Sequence, residues 1–437
     1  MKDEIRICKN IDENKNGELM FAGVNTLELA AKYGTPLYVM DEGRIREMCS
    51  LFRNGIVESF GGRGRILYAS KACSFKRIYD IVGSEGLLVD VVSTGEIHTV
   101  ARSGFPMENV FFHSNNKSDD DIIFALNNKV GHFVVDNIEE LESLNRIAGE
   151  YGIRQKIILR ITPGIDPHTF EAVATGKVDS KFGSAIETGQ AEEIIALALG
   201  MKNLILEGFH CHVGSELFES DVFIDTAKIM LEFTADIQRK LGYAPDFLDL
   251  GGGFGVRYIS SQPTLDVKKT IGEIADFIKK YCAELGIAMP VIGFEPGRAI
   301  VADAGLTLYT VGTRKTIPGY KTYVSVDGGM TDNIRFALYG AEYTLAAAGK
   351  LNEEPDMVCS VVGKCCESGD IIQESVSLPS SISRGDILAC FTTGAYHYSM
   401  ASNYNRIPRP AIVMISGKKD YVAVRRETLD DLISLDV

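Results

Sequence analysis

The 437-residue chain has no apolar run that approaches the roughly 18 residues a helix needs to cross a bilayer. Basic clusters are missing too, with 45 Lys and Arg against 59 Asp and Glu and a net charge of −14. Nucleic acid and anionic membranes are therefore poor partners, and an anionic substrate would need local arginines to overcome a repelling overall field. The opening Met1-Lys2-Asp3-Glu4-Ile5-Arg6 leads into polar sequence, without the apolar core of a signal peptide. Cysteine spacing carries no disulfide framework: the nine cysteines are odd in number and scattered, and Cys365 and Cys366 are adjacent. Free thiols in a reducing cytoplasm are expected. His210-Cys211-His212 resembles a metal site only briefly. On a strand, His210 and His212 share one face while Cys211 takes the other, and no partner cluster follows, so no metal is expected. Internal repeats and low-complexity linkers are absent.

What the chain does have is a composition ordinary for a globular protein, 45% hydrophobic and 24% charged, and length for two domains. Apolar, β-branched runs fall at 65–69, 87–92, 109–112, 132–135, 156–161, 206–212, 247–250 and 291–294. Stretches of helical period lie between them, among them 138–149, 221–241 and 267–285. Eight such βα units predict a (β/α)8 TIM barrel, with a doubly wound open sheet as the competing α/β arrangement. After Arg298 the pattern turns to short strands at 306–311, 323–326, 357–362, 387–390, 411–415 and 421–424, punctuated by Gly and Pro. These predict a second, all-β domain, sandwich-like or Greek-key barrel-like. The early strand Leu37-Tyr38-Val39-Met40 is expected to join it. The domain division is thus 1–42 with the β domain, 43–298 as barrel and 299–437 as β domain.

In a barrel the C-terminal ends of all eight strands converge on one face, where active sites lie. The ends here are polar or glycine-rich: Lys71, Asp90 with Ser93, His113-Ser114-Asn115, Asp136, Arg160, His212 with Ser215, Gly251-Gly252-Gly253, and Glu295 with Arg298. A lysine at the end of a buried strand, held in a partly dry place, can lose its proton and attack a carbonyl; a lone lysine there would more often merely snorkel. Gly251-Gly252-Gly253-Phe254-Gly255 could let backbone N–H groups approach a phosphate. Val256 stands where a dinucleotide fingerprint needs glycine, and the lysine of a P-loop is missing. Barrels often bind phosphate after their seventh and eighth strands, which is where this turn falls. Glu295 could hold a proton on a heteroaromatic nitrogen, and Arg298 could grip a phosphate or carboxylate.

Several segments in fixed order carry a resemblance: YASKAC at 68–73, DVVSTGE at 90–96, HSNNKS at 113–118, TG at 175–176, SKFG at 180–183, HCHVGS at 210–215, LDLGGGFG at 248–255 and EPGR at 295–298. DGGMTDNIRFALY at 327–339, CESGD at 366–370 and GAYHYSMASNYN at 394–405 follow in the β domain. The chain resembles the alanine-racemase-like (fold-type III) pyridoxal-phosphate decarboxylases, and within them the members that act on meso-diaminopimelate.

The resemblance implies pyridoxal 5′-phosphate as cofactor, with Lys71 as the Schiff-base lysine. It implies His212 stacked on the ring, Ser215, Gly252, Gly253 and Tyr396 at the phosphate, and Glu295-Pro296-Gly297-Arg298 on the cofactor, with Glu295 at the pyridine nitrogen. Cys366 is implied as the proton donor, reaching with Glu367 into the other subunit of a homodimer. Arg298, Arg335, Tyr339, Glu367 and Tyr396 are implied at the substrate; Arg335 with Tyr339 suits a distal carboxylate and Glu367 a distal ammonium. The implied reaction is decarboxylation of meso-diaminopimelate to L-lysine, the last step of lysine biosynthesis. Ornithine, arginine or carboxynorspermidine would be alternative substrates. An amino-acid racemase is disfavoured, because Glu295 and Cys366 stand where racemases of this fold use an arginine and a tyrosine. Cys73 and Phe336 depart from the Asn and Pro of many relatives, and neither position supplies an indispensable group.

Overall fold

Eight parallel strands close on themselves in the computed structural model, which describes residues 5–165 and 178–437. They are β1 (Gly64–Ala69), β2 (Leu88–Val91), β3 (Val110–Phe112), β4 (His132–Val135), β5 (Gln155–Thr162), β6 (Leu204–His210), β7 (Phe247–Asp249) and β8 (Val291–Phe294). Each pairs in parallel with the next, and β8 returns to β1 through Ile292 opposite Gly64 and Phe294 opposite Ile66. That last pairing removes the open-sheet alternative, since an open sheet leaves two edges. Leu67, Phe111, Val134, Ile158 and Phe247 pack together with Leu88 and Val291. Side chains from seven strands of a ring can meet only inside it, so the barrel is a filled core, as expected at this strand number.

The helices between strands begin and end on local signals. Asp221–Leu241 stops at Gly242, which takes the left-handed conformation (φ 70°) and returns its N–H to Gln238 O. Val267–Leu285 starts from Asp266, whose side chain accepts from Lys269 N, and stops at left-handed Gly286.

By its internal contacts the chain forms two compact units, one of Met48–Gly255 with Leu265–Gly297, the other of Met1–Glu47, Val256–Thr264 and Arg298–Val437. The second is mostly β. Its main sheet runs in the order Ile371–Leu378, Met357–Val362, Lys321–Val326, Gly305–Ile317, Leu37–Asp41, Ala411–Ser416, Lys419–Val424. The early strand Leu37–Asp41 lies antiparallel to Gly305–Ile317 and parallel to Ala411–Ser416. Leu37 and Val39, Leu306 and Leu308, and Val413 and Ile415 alternate onto one face and form its core with Phe21 and Phe391. Among the described residues no helix is long and apolar enough to cross a membrane, and all nine cysteines are unpaired.

Candidate active site

The C-terminal rim of the barrel gathers the polar strand ends. Lys71 follows β1 on a single 3-10 turn, Ser70–Ala72, between two buried neighbours. The lysine itself is exposed. The expectation of a confined, partly dry amine is therefore corrected: Ser70 and Ala72 on either side are buried, while the lysine between them is not. Its field reaches the carboxyls of Asp90 and Glu96 and the ring of His212. Glu96 accepts the Val92 N–H at 2.7 Å while Ser93 accepts the Glu96 N–H at 3.2 Å, locking the turn after β2 to its helix. Burial pushes Glu96 up to about 7.

After β3, Lys117 is fully enclosed and donates to Ser114 O, Val134 O and Glu140 Oε1 at 3.1, 2.8 and 2.8 Å. The lysine of HSNNKS thus ties the β3 loop to β4 and the following helix. Asp136 accepts the Gly183 N–H at 3.0 Å, and Arg160 lies 4.3 Å over the Phe182 ring. The TG pair at 175–176 falls outside the described residues.

β6 ends at His210, so the strand that was expected to carry His210 to His212 on one face stops two residues short. His210 Nε2 lies 3.1 Å from Glu295 Oε2, and His113 Nε2, from the end of β3, lies 2.9 Å from Glu295 Oε1. The His212 ring is pushed well down by burial and then by the charges of Lys71 and Arg160, so it is neutral.

The glycine turn after β7 runs between the loops after β6 and β8, and Asp249 Oδ1 accepts the Gly251 N–H at 2.8 Å. A Cβ on Gly252 would stand 2.2 Å from Glu295 O, and one on Gly253 2.4 Å from Gly214 O. No side chain fits at either place, and the backbone there can approach a ligand as closely as its own neighbours. Pro296 O accepts the Ala69 N–H at 3.4 Å, and a Cβ on Gly297 would meet Ala69 at 2.8 Å, so the EPG turn lies directly against the end of β1.

The remaining residues belong to the mostly-β unit. Arg298 is buried and donates to Tyr258 Oη at 2.8 Å. Arg335, also buried, donates from Nε to Tyr343 Oη at 2.8 Å. The Tyr396 ring lies between the two guanidiniums, 4.9 Å from Arg298 and 5.1 Å from Arg335, and Arg335 is also 5.3 Å from the Tyr339 ring. Tyr396 has φ 65°, a left-handed conformation that costs energy for a non-glycine residue and turns its ring between the two arginines. Burial, then the charge of Arg335, pushes His397 down to about 3, so the imidazole beside Tyr343 is neutral and adds no charge to this cationic patch.

Cys366 and Glu367 sit on an exposed turn. Asp370 anchors that turn: buried, it accepts the Cys365 N–H at 2.7 Å and the Met330 N–H at 2.6 Å. Asn405 (φ 51°) accepts the Cys366 N–H at 2.8 Å. Tyr258, Tyr343, Asp370 and Asn405 were not singled out from the sequence. Asp370 and Asn405 lie inside recognised segments, but nothing in the one-dimensional pattern distinguishes an anchor from its neighbours.

Residues 42–302 match the sequence profile of the pyridoxal-dependent decarboxylases, pyridoxal binding domain. The chain belongs to this family. Diaminopimelate decarboxylase of Bacillus subtilis (strain 168) is 43% identical over 425 residues, covering 97% of this chain and 96% of the relative. The crystal structure of diaminopimelate decarboxylase from M. jannaschii in complex with L-lysine superposes with a TM-score of 0.90 at 33% identity, covering 98% of each chain. The Helicobacter pylori enzyme of the same name, also with L-lysine, gives a TM-score of 0.84 at 31% identity over 94% of this chain and 99% of that one.

The barrel residues of this decarboxylase fit pyridoxal phosphate on two counts. Glu295 Oε1 is buried and has no well-directed hydrogen-bond donor among the described residues, because the nearby His113 nitrogen lies off the bonding line. A pyridinium N–H is the donor such an atom lacks. Neighbouring carbonyls exclude side chains at Gly252 and Gly253, which leaves this turn as bare backbone of the kind that can take a phosphate.

Proposed function

We propose that this decarboxylase removes carbon dioxide from one end of meso-diaminopimelate, using pyridoxal phosphate, and releases L-lysine. The observation that carries the reading is Glu295: a buried carboxylate, held in its charged form, on the same barrel rim as Lys71. The names of the relatives at 31–43% identity support the choice of substrate.

Lys71 would hold the cofactor's aldehyde carbon, the amides of Gly252 and Gly253 with Ser215 and Tyr396 its phosphate, and His212 the ring face. Pro296 and Gly297 carry the chain past it to Arg298. Bound in this way, the cofactor supplies an electron sink for the pair left when carbon dioxide departs. Glu295 keeps a proton on the ring nitrogen, which strengthens that sink. Neutral His212 can lie on the ring without adding a charge that would compete for the proton. Arg335 would take the distal carboxylate, with Tyr339 beside it, and Glu367 the distal ammonium. The Cys366 thiol would return a proton to the α-carbon. Cys366 and Glu367 stand on an exposed, anchored turn, which suits a role in the active site of a second subunit of a homodimer. The enzyme would work in the cytoplasm, where unpaired thiols persist.

Incubation with meso-diaminopimelate, with and without pyridoxal phosphate, should give L-lysine and carbon dioxide in equal amounts only when cofactor is present. Carbon dioxide released faster from ornithine, arginine or carboxynorspermidine would overturn the substrate assignment, and interconversion of amino-acid enantiomers without gas release would overturn the reaction class.

A further inference from the structure

Three of the carboxyls buried at the barrel mouth act on one another: Asp90 in β2, Asp249 at the end of β7 and Glu295 after β8. Mutual repulsion in a poorly solvated place allows few of them to be charged together. Their surroundings differ. Asp90 Oδ1 has no hydrogen-bond partner among the described residues. Asp249 accepts one backbone N–H. Glu295 alone meets two imidazole nitrogens, one at each oxygen, at 2.9 and 3.1 Å.

The two imidazoles come from different strands, His113 from the end of β3 and His210 from the end of β6. They meet edge to face, with centroids 4.8 Å apart at 76°. Both are buried. His210 Nδ1 has no partner among the described residues, so placing its hydrogen on Nε2, toward the carboxylate, is the tautomer that leaves no buried N–H unpaired.

We propose that His113 and His210 are positioning residues for Glu295: His210 donates to one carboxylate oxygen and the His113 ring stands against the other, and together they concentrate the mouth's negative charge on that one carboxylate and leave a lone pair for the cofactor's ring nitrogen. This rests on the reading that the site binds pyridoxal phosphate.

The direction of each group's proton affinity agrees. Burial pushes Asp90 and Asp249 well up, and the Glu295 charge pushes them further. Burial also opposes the charge on Glu295, yet the two imidazoles bring it well below the usual carboxylate range. His113 is pushed down to about 4 and His210 is also lowered, by burial first in both cases, so both rings are neutral. Lys71 and Arg160 offset the negative charge from other sides, acting on Asp90 and, for Arg160, on both imidazoles. Neutral rings are suited to the task. A charged imidazolium would form an ion pair with Glu295 and weaken its hold on a pyridinium.

The test compares two ligands on the full-length protein stripped of cofactor: pyridoxal phosphate, and its 1-deaza analogue, in which carbon replaces the ring nitrogen. Affinities are read by fluorescence for wild type and for His113→Leu, His210→Leu, His113→Gln and His210→Gln, each also in a Glu295→Gln background. Losing the hydrogen bond to a charged group should weaken pyridoxal phosphate by roughly ten- to a hundred-fold in His210→Leu, and losing the polar contact should weaken it by a smaller factor in His113→Leu. The deaza analogue should lose less than about two-fold, and glutamine, which keeps an N–H donor, should recover part of the loss. In the Glu295→Gln background the histidine changes should cost pyridoxal phosphate almost nothing. Equal losses for both ligands, or losses that persist without Glu295, would overturn the proposal in favour of simple core packing. His113, His210 and Glu295 also place three ligand atoms within 4.8 Å, so a chelator that reproduces the leucine phenotype in wild type would overturn it in favour of a metal. Wild type that binds neither ligand would refute the cofactor reading itself.

Discussion

Arg335 and Asp332 stand three residues apart and call for different measurements. Arg335 is buried against Tyr396, Tyr339 and Tyr343, none of which neutralises it, so a carboxylate of the substrate is its natural counter-charge. Arg335→Ala should lower kcat/KM with meso-diaminopimelate by about a hundred-fold or more while leaving bound cofactor unchanged, the cost of losing a charged, bidentate contact; unchanged kinetics would remove the assignment. Lys71→Ala should abolish the yellow absorbance of the lysine-bound cofactor together with activity, checked by one spectrum and one assay. Asp332 is buried, accepts from Tyr309 Oη at 2.5 Å and Gly329 N at 2.9 Å, and is pushed up to about 7 by burial. With a folded-state pKa above that of the unfolded chain, the native state binds the extra proton. Stability therefore falls as pH rises from about 4 to 7, and the loss remains above 7. Asp332→Asn should flatten that part of the stability profile, read as urea midpoints across the range.

At the scale of elements, the turn after β7 works because its glycines leave no side chain between neighbouring loops. Gly252→Ala places a methyl group 2.2 Å from Glu295 O and must push the EPG turn away, at an overpacking cost of about 1–3 kcal/mol. We expect a lower melting temperature and cofactor affinity reduced by about ten-fold or more, since 1.4 kcal/mol is a factor of ten; calorimetry and cofactor titration check both. Elements of this kind are also where the sequence was most readable. The barrel strands announce themselves by apolar β-branched runs that stop at polar residues, and Asp221–Leu241 and Val267–Leu285 by their helical period. Ile371–Leu378 was missed because Ser375, at φ 55°, breaks the alternation that marks a strand. Leu345–Ala347 was missed because two alanines in three residues carry no strand preference. The contact of His113 and His210 with Glu295 was invisible for another reason: barrel closure creates it, and no local pattern records which strand ends will touch. The exposure of Lys71 escaped too, because a strand-end position fixes where the chain goes and not how far its side chain is covered.

For the whole molecule the first question is whether one subunit suffices. If Cys366 serves a neighbouring subunit, Lys71→Ala and Cys366→Ala proteins are each inactive alone. Mixed, dissociated and reassociated at equal amounts, they should recover about a quarter of wild-type activity, because half the dimers then hold one intact site of two. No recovery after demonstrated subunit exchange would place Cys366 in its own subunit's site. The threading of the mostly-β unit bears on how the protein is made. Leu37–Asp41 lies between Gly305–Ile317 and Ala411–Ser416, so an early strand must wait for partners that leave the ribosome after the entire barrel. At ordinary synthesis rates that delay is roughly tens of seconds, during which an apolar strand with two unpaired edges is open to chaperones and to aggregation. Codon choice within the barrel, which sets most of that delay, should therefore affect the yield of folded protein more than codon choice downstream of it.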